Sequence, residues 1–388
     1  MEAGANVNDI DWYEIKFLES SSNLKELIKK SVGRQPSTKI ANEIAVCMQQ
    51  GRMFFEAASS SPLEIKPLQI FYGIVGFAKA IVLTRNVISI ETLTQAHGIS
   101  DTSEQNARLH QLTLKILRKG IFQHFNDTLS KLGCIYHYGI LAAPTQKIKP
   151  FDNSSKLFDK EISLKEILAR IPYLEHLYEK TFDEPAKILP LHMHYWDEYN
   201  GYVDLRIYDP EIFTDRQSLK KLVQKWRAKY LFLEDWCLAE ATCQQGNSIL
   251  IFGNIDKKGI NEFSEEFLME NDGHFLAERD LKYNQSYQRR DITEIIQPLA
   301  GGLTKSQPYI IDTYDGAYIS EFSLHFLGAY LLSSLVRYRP QIWRYAISRS
   351  FTHESSADDK ALALIERFLD LSLQEFPRMV VNAVAFKN

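Results

Sequence analysis

Residues 63–83 read LEIKPLQIFYGIVGFAKAIVL, and the second half of this apolar run carries a single charge, Lys79. A lysine so placed must find a partner or a cavity, because an ammonium group buried without compensation is costly. The stretch 68–83 falls short of the ~20 residues that span a bilayer, and Gln69 and Lys79 interrupt it. It therefore predicts a buried core helix. A second run, 322–336, is nearly free of charge, is interrupted by His325 and reads the same way. Small residues on each, Gly73, Gly76 and Ala80 on the first and Gly328 and Ala329 on the second, allow close helix contact. The two helices are expected to pack together.

The remaining composition supports a folded protein. In 388 residues, 45% hydrophobic and 24% charged, there is material for one large or two medium cores. A net charge of −4 argues against a basic surface over the whole chain, so any nucleic-acid contact must use a local patch. The four cysteines, Cys47, Cys134, Cys237 and Cys243, include no two-residue-spaced pair of the zinc or redox type. The start, MEAGANVNDIDWYEI, is acidic and lacks the apolar core of a signal peptide. These features predict a reduced, cytoplasmic protein with no membrane partner.

Periodicity predicts an α+β fold in which N- and C-terminal helices form a mainly helical core around a mixed, strand-containing middle. Lys39–Ser59 shows one apolar face, and three helices are expected before residue 95. LKILRKGIFQHF, residues 114–125, alternates in places around Gly120 and predicts a strand or hairpin. Residues 187–196, 202–208 and 248–255 read as strands. Short helices are expected at Leu164–Arg170 and Gln217–Lys229. Longer ones are expected at Ser320–Tyr338 and Ala357–Phe376, stopped by Pro340 and Pro377. The corresponding division is 1–110 helical, 111–315 mixed and 316–388 helical.

Three dipeptides, Tyr72-Gly73, Lys79-Ala80 and His97-Gly98, occur in order with LARIPYL (168–174) and LLSSLVRYRPQIW (331–343). The last contains a Ser-x-x-x-Arg-Tyr-x-Pro-x-x-Trp pattern. In these pieces, spanning residues 63–343, the chain resembles bacterial YaaC-like proteins. The resemblance implies a shared fold and brings no reaction with it.

Several residues are candidates for chemistry, each with a structural alternative. Lys79 is a tunable amine or anion receptor, or else the partner of an acid such as Glu321. His97 is an imidazole for acid–base work, or a residue that fixes a helix end or turn. His192 and His194 would share one face of a strand and reach a metal with Asp197 or Glu198, or simply be exposed together. Arg170 and His176 have the spacing of a metal-independent HEPN-type ribonuclease, with histidine moving protons and arginine stabilising phosphate charge. Arg118 and His124 have the same spacing. Pro172 interrupts the first pair, and Gly120 lies between the second.

Two basic stretches remain. On a helix over 216–230, Leu219, Leu222, Val223 and Trp226 form an inner stripe, leaving Lys220, Lys221, Lys225, Arg227 and Lys229 outside as a phosphate-holding or merely solvated face. In residues 337–349, Arg337, Arg339, Arg344 and Arg349 offer forks for anions beside Tyr338 and Trp343, or pair with acids at a helix end. Phosphate-loop, dinucleotide-turn, nucleophile-elbow and zinc-helix motifs are absent from the sequence. No cofactor or metal is called for. The expectation is a non-catalytic interaction protein that binds a partner protein, a second copy of itself, or an anionic ligand such as nucleic acid. A bacterial defence or stress module is its expected setting, and a ribonuclease effector is the alternative.

Overall fold

The computed structural model describes residues 7–130, 154–190, 192–195, 202–230, 233–234, 236–256, 268–270, 274–276, 309–317, 319–347 and 357–385. The chain divides into two units. The first comprises Met1–Ile135, Pro150–Ala186 and Ile319–Asn388, and the second Tyr136–Lys149 and Lys187–Tyr318. The main change from the helical to the sheet unit thus falls at residue 187, well beyond the residue 111 read from periodicity.

In the helical unit, α1 (Val7–Phe17), α2 (Ser21–Val32), α3 (Thr38–Ser60) and α4 (Lys66–Asn86) come first, one helix more than expected. α5 (Ile121–Ser130), α6 (Ser154–Leu157), α7 (Leu164–Leu168) and α8 (Glu175–Phe182) follow. The unit closes with α10 (Glu321–Tyr338), α11 (Pro340–Ile347) and α12 (Ala357–Ala385). α4 lies at the centre, against α3, α5, α10 and α12. At 21 residues it is longer than the predicted 68–83 core and is long and apolar enough to cross a membrane, yet 78% of that apolar window is buried in the protein.

The expected pairing of α4 with α10 is present, but the glycines do not make it. Phe71 packs edge-on against Phe326 at 5.7 Å and Tyr330 at 5.5 Å between ring centroids. Gly73 and Gly76 instead face α3, where a Cβ on Gly76 would lie 2.9 Å from the Gly51 nitrogen and 3.0 Å from its Cα. Gly328 faces Phe368 of α12. Aromatic rings make the α4–α10 contact, whereas glycines permit near backbone contact between α3 and α4.

Two other expectations need correction. The stretch 114–125 is not a hairpin, because β2 (Thr113–Ile116) ends before Gly120 and α5 begins at Ile121. Gly120 adopts φ +150° and meets Gly98, at φ +82°, backbone to backbone, an approach that a Cβ on either would block. Pro377 lies inside α12 instead of ending it. Buried Phe376, Met379, Val380, Ala383 and Val384 anchor the helix across the proline, so packing outweighs the missing hydrogen bond. Strands β1 (Ile99–Asp101), β2 and β3 (Glu161–Ser163) form a small antiparallel sheet in that order.

In the sheet unit, the predicted strand regions become β4 (Ile188–Pro190), β5 (His192–Tyr195), β6 (Tyr202–Asp209) and β8 (Asn247–Asp256), joined by β7 (Trp236–Gln244), β9 (Leu268–Glu270), β10 (His274–Leu276) and β11 (Tyr309–Ile311). Six strands run antiparallel in the order β5-β6-β8-β7-β10-β9, and β11 pairs with β4. The β7–β8 hairpin turns through Gln245 and Gly246, both at positive φ, which matches the strand twist. α9 (Arg216–Lys229) buries Leu219, Leu222 and Val223.

The α3–α4 contact gives a direct test. Gly76→Val is expected to destabilise the protein by about 1–3 kcal/mol or more, through overpacking against the Gly51 backbone. A urea-unfolding midpoint equal to that of the native chain would show that the two helices can separate freely.

Candidate functional site

His97 follows a short 3-10 turn, Ile90–Thr92, and its segment is fixed by the backbone. The Ala96 and His97 carbonyls accept from the Ile121 and Phe122 amides at 2.8 and 3.0 Å, satisfying the first turn of α5. Gln123 Nε2 donates to the Gly98 carbonyl at 2.8 Å. Thus held, the half-buried imidazole lies edge-on to Phe71 at 5.1 Å and tilted against Tyr330 at 6.2 Å. Neither ring nitrogen makes a hydrogen bond among the described residues.

Arg337, in the last turn of α10, shares the Phe71 floor. Its guanidinium lies 5.8 Å from the Phe71 ring centroid and 4.9 Å from that of Tyr338. Its Nε donates to the Ser333 carbonyl at 3.3 Å and Nη2 to the Ser333 hydroxyl at 3.4 Å, and no carboxylate among the described residues pairs with it. Lys79 is half-buried on α4 and likewise has no ion pair or hydrogen bond among the described residues. Glu321, the acid suggested for it, instead lies beside His325, 3.8 Å from Nε2. Burial and then the charges of Arg337 and Lys79 hold the His97 imidazole below its usual range. A neutral histidine beside the Arg337 guanidinium on the Phe71 ring, with the Lys79 charge also acting on it, suits an incoming negative charge.

Next to this group, Asp101 braces the end of α10. Its Oδ1 accepts from the Ser103 amide and from Arg339 Nη2, both at 2.9 Å, and Oδ2 accepts from the Ser334 hydroxyl at 2.5 Å. Arg339 also donates to the Glu104 and Ser103 carbonyls at 3.3 and 3.4 Å. Burial pushes the Asp101 carboxyl up, but the Ser103 and Ser334 hydrogen bonds and the Arg339 charge outweigh it and leave the group below its usual range. Of the two arginines, then, Arg339 is a tie between β1 and α10, and Arg337 is the one without a carboxylate partner.

The comparisons with known proteins agree with the motif pattern. A family model described as YaaC-like Protein matches residues 15–384. The chain belongs to the YaaC-like family. No curated protein and no solved structure matches it. In this YaaC-like chain the motif residues divide by task. His97 and Arg337 meet on the Phe71 ring and Lys79 acts on the imidazole through its charge, whereas Gly73 faces α3, Tyr72 stacks on Phe54 at 5.7 Å, and buried Trp343 donates to the Glu64 carbonyl at 3.0 Å. Sequence reasoning missed Phe71, Tyr330, Ser333 and Asp101. For two of these a signal existed: Tyr330, Ser333 and Arg337 recur at helical spacing.

The other candidates are dispersed. Arg170 is buried and paired with Glu166 within one helical turn, while His176 is exposed on α8. Arg118 is exposed and pairs with Asp159 at 2.9 Å, away from a catalytic arrangement with His124. On α9, Arg227 is buried rather than outward, donating to the Leu233 carbonyl at 3.0 Å beneath the sheet residue Phe252. Lys225 pairs with Asp209 and Glu211 at 2.9 and 3.1 Å, and Lys229 lies over Trp226 at 4.5 Å. Lys220 and Lys221 stay exposed, so the continuous basic face is reduced to its N-terminal half. The side chains of His192 and His194, with Asp197, Glu198 and Arg349, lie outside the described residues. Among the described residues no three His, Cys, Asp or Glu side chains are grouped to hold a metal.

The brace has a pH signature. With its folded carboxyl below the unfolded value of about 3.9, Asp101 contributes stability that is present above that pH and lost as the pH falls through the lower folded value. Asp101→Asn is expected to cost about 1–3 kcal/mol near pH 7 and to flatten the fall in stability below pH 4. Chemical denaturation at pH 7, 4 and 3 checks both, and an unchanged acid limb would exclude this carboxylate as its source.

Proposed function

We propose that this YaaC-like protein is a non-catalytic interaction protein whose helical unit binds an anionic group, a phosphate or carboxylate, at Lys79, His97 and Arg337. One observation carries the reading. Separate chain segments bring the His97 imidazole and the Arg337 guanidinium to the Phe71 ring, with the Lys79 charge acting on the imidazole, and no carboxylate among the described residues pairs with either cation. Arginine supplies a planar fork and lysine a mobile point charge, a combination suited to oxyanions. The basic helix gives less support to a broad nucleic-acid surface, since Arg227 is buried and Lys225 is paired with acids. The ribonuclease alternative is disfavoured by the contrast between buried Arg170 and exposed His176.

Calorimetric titration with inorganic pyrophosphate tests the reading. Binding is expected to weaken about tenfold for Lys79→Ala and for Arg337→Ala, equivalent to ~1.4 kcal/mol each. A bound anion offsets the charges that hold His97 neutral, so protons are taken up on binding and affinity rises as the pH falls below about 6.5. In the free protein the same lowered imidazole makes stability fall with pH over that range, because the unfolded chain takes up the proton first. His97→Asn should remove both dependences. Equal affinity across pH 5.5–7.5 in the native chain, or no effect of Arg337→Ala, would reject the site. Turnover of an RNA substrate by the purified protein would reject the non-catalytic reading.

A further inference from the structure

Away from that group, α1, α3, α4 and α12 border a cleft of about 240 Å³ in the same helical unit. Two opposite charges line it, Lys66 from the first turn of α4 and Asp370 from α12, together with the Trp12 indole and the Gln374 amide. Neither Lys66 nor Asp370 has an ion pair or side-chain hydrogen bond among the described residues, although they line one cleft. Pro377 and Leu373 also form its wall. Because proline has no N–H, the Leu373 carbonyl one turn earlier lacks the donor that an α-helix would supply. The cleft thus combines a cation with an anion, beside a helical turn that lacks one backbone donor.

This pairing selects among ligands. A simple anion would satisfy Lys66 but leave Asp370 repelling it, and a simple cation would do the reverse. We infer that the cleft binds a small zwitterion of the free amino-acid type, its carboxylate at Lys66 and its primary ammonium at Asp370 and the Leu373 carbonyl. An ammonium group has three donors, matching a carboxylate plus a backbone oxygen. The volume suits a molecule of amino-acid size, and the indole offers an apolar or cation-attracting wall to the remainder.

The test is calorimetric titration of the full-length chain with each of the twenty free amino acids, and with the N-acetyl and carboxamide forms of any that bind. At least one free amino acid is expected to bind, and blocking either end should weaken it more than tenfold. Asp370→Asn and Lys66→Met should each weaken it about tenfold or more. Asp370 is exposed and Lys66 half-buried, and circular dichroism should show both variants folded. Pro377→Ala, which restores the helical donor to Leu373, should weaken binding several-fold while preserving the helix. Arg337→Ala should leave it unchanged. Absence of binding by all twenty, equal binding of an end-blocked form, or full affinity in folded Asp370→Asn would overturn the inference.

Discussion

The near backbone contact of α3 and α4 is the constraint on which the helical unit depends. Gly51, Gly73 and Gly76 let the two helices meet where Cβ atoms would collide with backbone or the Phe55 and Phe77 rings. Once that side is filled, the other sides of α4 are committed to α5, α10 and α12. Burial explains why so apolar a helix is stable here. Ile70, Phe71, Ile74, Phe77, Ala78, Ala80, Ile81 and Leu83 are all removed from water, a gain on the order of 1.5–3 kcal/mol for each large side chain.

Phe71 connects this packing to the candidate site. The same ring contacts Phe326 and Tyr330 of α10, supports the His97 imidazole and underlies the Arg337 guanidinium. Rotation of α4 would therefore displace the support of His97 and Arg337 as well as the core. A second constraint acts from the opposite end, where Asp101 fastens β1 to Ser334 and Arg339. Arg337 lies between these fixed points and keeps a guanidinium unmatched by any described carboxylate. Burial first, and then the charges of Arg337 and Lys79, disfavour a protonated His97 and hold the imidazole below its usual range. An anion would change that balance, which links occupancy to proton uptake.

The sheet unit shows how a charge pattern loses its apparent meaning on folding. A helix with six Lys or Arg in 216–230 suggests an outward basic face. In α9, however, Arg227 uses its long side chain to satisfy the Leu233 carbonyl and cover Phe252, and Lys225 neutralises the buried Asp209, which also accepts from the Trp226 indole at 2.7 Å. Arginine and lysine have apolar stems that pack well while their heads find local acceptors. Charge counts along the sequence do not record those acceptors.

The α+β class, the two apolar core helices, α9 and four of the strand regions were legible because they depend on local periodicity and composition. So was the family resemblance, carried by short motifs whose order survives along the chain. Lys79, His97 and Arg337 were visible individually as residue types at unusual places. The meeting of His97 and Arg337 on Phe71 was not, because it depends on contacts between residues more than two hundred positions apart and on the Gly98–Gly120 crossing. Nor could the sequence decide that α12 continues through Pro377, since burial on both sides of the proline outweighs a local stop signal. Local propensity and patterning determined the elements, and only tertiary packing decided which charges were neutralised and which remained available to a ligand.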